Sequence, residues 1–273
     1  MKLHPLLATA ALATLPSAVL AQPPDAERAK ARLDSSPRHG EFVDIRLPAS
    51  PTPLKAWVVY PERKERAAVV IVIHEIYGLS DWVRAVADQL AQEGFLAVAP
   101  DLLSGKGPGG GGTESFASRD QVVQHIRELQ PDQVQAMLDA VREYAVALPA
   151  ASGKSATIGF CWGGSTSFAY AAAQPNLQAA VVYYGTAPEP DRLAAIKAPV
   201  AGFYGGDDAR VTATVEPTAA EMKQLGKTYQ YEIYPGAGHG FLRDQSGRDG
   251  ANLKAAQQAW PRTLAFLREH TRG

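Results

Sequence analysis

The only cysteine of the chain, Cys161, sits in Gly159-Phe160-Cys161-Trp162-Gly163, a Gly-x-nucleophile-x-Gly pattern with sulfur where serine is usual. A nucleophile on a sharp strand-to-helix turn occupies strained backbone, so its flanking positions need the smallest side chains. Residues 156–160 before it read as a buried strand, and residues 165–173 after it as a helix. Such a helix aims its first N–H groups at the sulfur, which favours thiolate, and the N–H of Trp162 would face a developing oxyanion. A free cysteine is also a small apolar filler, so its partners must decide between the two readings.

A thiol nucleophile needs a base, and the base needs a group that orients it. Gly205-Gly206-Asp207-Asp208 closes one strand pattern with an acidic turn, and Gly238-His239-Gly240 lies in the glycine-rich loop after the next. Nucleophile, acid and histidine thus follow one another in the order expected on an open α/β sheet, each at a C-terminal strand end. Spacing does not separate Asp207 from Asp208, and either aspartate alone reads equally well as a helix cap. Ile73-His74-Glu75-Ile76-Tyr77-Gly78 follows an earlier apolar run. There the N–H of Ile76 is the candidate for a second oxyanion donor, and Glu75 would put a carboxylate near the thiol unless it is a solvated loop acid. A zinc helix of the His-Glu-x-x-His type would need histidine where Gly78 stands, so neither a metal nor a cofactor is expected.

These groups need a scaffold that brings strand ends together. Residues 42–47 and 54–60 read as a hairpin, and 67–73 is an unbroken apolar run suited to a strand buried on both faces. Further strand patterns at 95–99, 156–160, 179–184, 200–204 and 229–234 alternate with helical periods at 82–92, 115–129, 132–147, 165–173, 214–225 and 252–269. Alternation of this kind predicts a mostly parallel central sheet with helices on both faces. The glycine-rich stretch 105–112 lacks the Gly-Lys-Ser/Thr of a phosphate loop and reads as a flexible connection.

The chain has 273 residues and a formal net charge of −1, from 27 Lys+Arg and 28 Asp+Glu, which gives no basic surface for nucleic acid. Residues 1–21 combine a short basic start, an Ala/Leu run and small residues before Gln22, the pattern of a secretory signal peptide. Export across the inner membrane, into a periplasm, is therefore expected, with no stable membrane span once the leader is removed. Residues 22–39 are polar and proline-punctuated and read as a loose lead-in, and residues 40–273 as a single domain. An unpaired thiol in an oxidising compartment is an apolar filler, an intermolecular link or a reactive group, and taken alone it reads as filler, so its neighbours decide. Thiol redox work is disfavoured because no second cysteine is present to resolve a sulfenic acid.

From about residue 40 onward, "HEIYG", "APDLL", "IGFCWGG", "VVYYG", "GGDDARV" and "GHGFLR" resemble, in order, the signature segments of the dienelactone hydrolase family, a branch of the α/β-hydrolases. The resemblance implies Cys161 as nucleophile, His239 as general base and Asp208 as its orienter. It implies that Glu75 contacts the resting thiol and helps deprotonate it when substrate binds. Ile76 and Trp162 match the oxyanion-hole positions, Arg243 a substrate-carboxylate ligand, and Tyr184 a pocket tyrosine. A second carboxylate-binding arginine of the family, after "PDL", is missing here, and Lys106 is the only stand-in. The usual family member is also cytosolic. The expected activity is cysteine-dependent hydrolysis of a small ester or lactone through a thioester. The alternative is a noncatalytic ligand-binding or scaffold protein on the same fold.

Overall fold

The computed structural model describes residue 23, residues 25–48 and residues 50–272. The leader lies outside the described residues. Eight strands form one sheet: β1 (Gly40–Ile45), β2 (Leu54–Val59), β3 (Ala67–Ile73), β4 (Leu96–Pro100), β5 (Ala151–Phe160), β6 (Ala179–Tyr183), β7 (Val200–Gly205) and β8 (Tyr229–Tyr234). Their spatial order is β1-β2-β4-β3-β5-β6-β7-β8. The β1–β2 and β2–β4 pairs are antiparallel, and every pair from β4–β3 to β7–β8 is parallel. This is the α/β-hydrolase architecture.

The helices are α1 (Ala29–Asp34), α2 (Asp81–Gln92), α3 (Arg119–Glu128), α4 (Pro131–Ala147), α5 (Trp162–Ala173), α6 (Pro190–Leu193), α7 (Ala209–Gln224) and α8 (Ala251–Thr271). β3 shows why its run has no alternation. Val70 and Val72 face a core shared with α2 and α8, whereas Val69, Ile71 and Ile73 face a second core shared with α4, α5 and α7. Both faces are dry, and all seven residues of the strand are buried.

Strand β5 begins at Ala151, five residues before the expected start, α3 is shorter than the expected 115–129, and α6 is an addition. Three further differences bear on the site and its supports. Helix α5 starts at Trp162, because the two glycines that disfavour a helix by propensity are the residues that let it approach the sheet. Helix α7 starts at Ala209, directly after the acidic turn. The lead-in carries helix α1 and is fastened to the body. Asp88, almost wholly buried, accepts both arms of Arg38 at 2.8 and 2.7 Å and pairs with Arg32 at 2.9 Å. The N–H of Ala26 donates to the carbonyl of Arg243 at 3.0 Å. Long-range ion pairs are invisible to a local pattern, so the segment reads as loose although it is not.

The glycine-rich stretch is closed by short bonds. Asp101 accepts the N–H and the hydroxyl of Thr113, each at 2.7 Å, and the N–H of Gly107 donates to Gly111 at 3.0 Å. Lys106 lines a groove with Leu47, Pro48 and Asp132, and Arg243 is not among the residues lining it.

Candidate active site

Cys161 has φ 55° and ψ −118°, a conformation that costs a side-chain-bearing residue about 1–3 kcal/mol. The strain is held by bonds on both sides. Its N–H donates to Tyr183 at 3.0 Å, and its carbonyl accepts the N–H of Ser165 at 3.1 Å. A Cβ on Gly159 would lie 1.9 Å from the Gly163 carbonyl oxygen, and one on Gly163 would lie 2.3 Å from that of His74. Both glycines are therefore required by close approach of backbone to backbone.

The acidic turn resolves into two separate roles. Asp208 is 8% exposed, makes no helix-cap bond, and places Oδ2 2.5 Å from Nδ1 of His239. Asp207 instead forms a half-exposed ion pair with Arg248 at 3.1 Å. Since Asp208 faces Nδ1, that nitrogen carries the proton and Nε2 is left to accept one. The histidine loop is pinned by Asn252, a buried residue at the start of α8 that accepts the Gly238 N–H at 2.9 Å. The N–H of Asp207 donates to Ala237 at 2.9 Å, tying the acidic turn to the same loop. No local motif marks Asn252, and the sequence reading missed it.

Glu75 is buried and lies against Arg243, with Oε2 2.8 Å from Nε. The guanidinium N–H is not aligned on the carboxylate, so the contact is mainly Coulombic. Burial pushes the Glu75 carboxyl up to about 7, against the opposing pull of Arg243 and of the Tyr184 hydroxyl. Burial likewise raises the Cys161 thiol, and the Glu75 charge adds to that. The Trp162 N–H and Arg210 act in the opposite direction and are outweighed. The helix N-terminus thus favours thiolate as expected, but desolvation and a carboxylate outweigh it, in keeping with the resting thiol that the resemblance implies.

The remaining predicted residues gather at the same place. Tyr184 is fully buried, its ring 5.1 Å from that of His239, and its φ is 41°. Ile76 and Trp162 pack their side chains on one small cluster of Leu103, Val122 and Ile126 under α3. The Ile76 N–H has no hydrogen-bond partner among the described residues. Two further residues join that the sequence reading did not select. Arg119, at the start of α3, places its guanidinium 5.4 Å from the centre of the Tyr77 ring, and Arg243 lies 5.3 Å from the same ring. Among the described residues, no group of three or more His, Cys, Asp and Glu side chains could hold a metal ion.

A sequence model described as "Dienelactone hydrolase family" matches residues 54–271. The chain belongs to the dienelactone hydrolase family. A carboxymethylenebutenolidase of Pseudomonas putida is 30% identical over 207 residues, covering 75% of this chain and 86% of that protein. A solved structure from Klebsiella pneumoniae superposes with a TM-score of 0.73 at 28% identity, covering 84% of this chain and 98% of its own. The dienelactone hydrolase of Anabaena variabilis superposes with a TM-score of 0.65 at 23% identity, covering 86% of this chain and 99% of its own, a likeness of fold. Membership makes this chain a dienelactone hydrolase-like hydrolase, whose family suggests a small-molecule substrate.

Proposed function

We propose that the protein hydrolyses a carboxylic ester or lactone with Cys161 as nucleophile and His239 and Asp208 as its base and orienter. The observation that carries this reading is the strained turn of Cys161 on the same sheet edge as the Asp208–His239 pair. The thiol proton passes to Nε2 of His239 as sulfur attacks the carbonyl carbon. Negative charge collects on the carbonyl oxygen, where the N–H groups of Trp162 and Ile76 receive it. Collapse breaks the carbon–oxygen bond of the alcohol, the imidazolium gives that oxygen its proton, and a thioester remains. His239 then takes a proton from water, hydroxide attacks the thioester, and the acid leaves with the thiol restored. In a lactone the leaving oxygen stays attached, so the ring opens.

Glu75 sets when the thiolate appears. A protonated thiol resists oxidation, which suits a lone cysteine outside the cytoplasm. A substrate carboxylate attracted by Arg243 would draw that cation away from Glu75 and leave the latter better able to help His239 draw the proton from the thiol. Arg119, on the shared Tyr77 ring, supplies a second cation that Lys106 does not. These features favour an anionic ester or lactone over a neutral one.

The test is Cys161→Ala. The variant should fold as the parent does and lose hydrolysis of p-nitrophenyl acetate; turnover that survives would remove the reading. In the parent, rapid quenching followed by mass spectrometry should find the acyl group on residue 161. We also infer export, on the strength of the leader at residues 1–21. Periplasmic fractionation of the expressed full chain, with mature protein starting at Gln22, checks it.

A further inference from the structure

His74 is fully buried beside the site and has no part in the steps above. Its Nδ1 lies 2.8 Å from the carbonyl oxygen of Glu75, and its Nε2 lies 3.3 Å from the backbone nitrogen of Leu102. A backbone N–H only donates, so Nε2 is the acceptor and the ring proton sits on Nδ1, donating to Glu75. The Gly78 N–H donates to the same carbonyl at 3.2 Å. No cis peptide occurs among the described residues, so the Glu75–Ile76 peptide is trans and its N–H points opposite to its C=O. Fixing the carbonyl on the His74 side therefore turns the unpartnered Ile76 N–H to the other side. Desolvation holds the imidazole in its neutral form, which is the form that can both donate and accept.

The ring has a second contact. Its face stacks on the indole of Trp162, with centroids 5.6 Å apart and planes 17° from parallel. One buried imidazole thus holds the carbonyl side of the Glu75–Ile76 peptide and packs on the indole of Trp162, the two places whose N–H groups receive the oxyanion in the proposed reaction. Without it, only the longer bond from the Gly78 N–H holds that carbonyl, and rotation of the Glu75–Ile76 peptide would replace a donor with a carbonyl oxygen where negative charge develops.

We infer that His74 is a positioning residue for the oxyanion hole, holding the Glu75–Ile76 peptide so that the Ile76 N–H faces the reacting carbonyl and bracing Trp162, the other donor. The inference rests on the Cys161 reading above. Its test compares ester turnover with alkylation of Cys161 by iodoacetamide, because alkylation needs the thiolate but forms no oxyanion.

His74→Phe keeps the stack and loses both hydrogen bonds. Its kcat on p-nitrophenyl acetate should fall ~10²–10³-fold, the cost of one oxyanion donor, with KM and the alkylation rate close to those of the parent. Turnover close to the parent's, or alkylation that falls in step with turnover, overturns the inference. His74→Asn and His74→Gln provide a second comparison if the Phe variant does not fold. Asn retains a donor near the Nδ1 position, whereas Gln retains only the contact to Leu102. Asn should be the faster of the two, and equality or the reverse order also overturns the inference. Cys161→Ala is run alongside: loss of turnover there with a normal His74→Phe defeats the positioning role alone, whereas turnover that persists in Cys161→Ala defeats the underlying reaction.

Discussion

At the end of β5 the backbone itself makes the site, whereas at the end of β3 side chains make it. The Cys161 corner is set by a positive φ, two main-chain hydrogen bonds and glycines with no room for a Cβ. Those requirements are local, and they leave a recognisable pentapeptide. The β3 corner is set by charges and rings arriving from far along the chain: Arg243 against Glu75, Tyr184 beside them, and Arg119 with Arg243 on Tyr77. Backbone geometry fixes where the sulfur stands. Electrostatics fixes how readily it loses its proton. A site built in two ways should fail in two ways.

The adjacent aspartates give the largest contrast. Asp208→Asn should lower kcat by ~10³–10⁴-fold, by analogy with the loss of the orienting carboxylate in a triad. Asp207→Ala removes only a half-exposed ion pair, so it should leave kcat unchanged. Similar kinetic losses for both variants would mean that the 2.5 Å contact with His239 is not what matters.

Gly159→Ala probes the backbone corner. Its Cβ would collide with main chain, which gives only by moving the turn, so destabilisation of ~3 kcal/mol and loss of Cys161 alkylation are expected together. Chemical unfolding and iodoacetamide labelling measure the two effects. A stable, fully labelled variant would show that close approach does not govern this corner.

Asp88→Ala tests whether the lead-in is structural or catalytic. It strands two partly buried arginines, so ~3 kcal/mol of stability should be lost, while kcat of the folded fraction stays at the parent's value. A change in kcat would tie the lead-in to the site through the Ala26–Arg243 contact.

The smallest expected effect on stability, and the one that isolates electrostatics, is Glu75→Gln. In the folded protein this carboxyl titrates at about 7, above its value of 4.5 in an unfolded chain. Between those two pH values the folded state holds the extra proton, so its contribution to stability declines as pH rises from about 4.5 to about 7 and is level above. The variant should lack that decline in urea unfolding and lack an activity limb near pH 7. Parallel pH profiles for parent and variant would assign the limb to another group.

The β3 corner also shows where local reading stops. The unbroken apolar run at 67–73, the pentapeptide around Cys161 and the strand ends before Asp208 and His239 were legible, because burial on two faces and a tight turn constrain neighbouring residues directly. The choice of Asp208 over Asp207 was legible only through family resemblance, and its geometric reason is the turn into α7. Asn252, Arg119 and the brace at His74 left no local trace, since each acts on a partner distant in sequence or through a peptide plane. The lead-in read as loose for the same reason: Asp88 lies some fifty residues from Arg38.

By itself the sequence determined which atoms could react and the order in which the strands deliver them, since hydrophobic periodicity and glycine placement are properties of adjacent residues. Tertiary structure alone decided the protonation of those atoms. Whether Cys161 rests as thiol or thiolate depends on how much water the fold removes and which charges it leaves within reach, and both are sums over residues that meet only when the sheet is assembled.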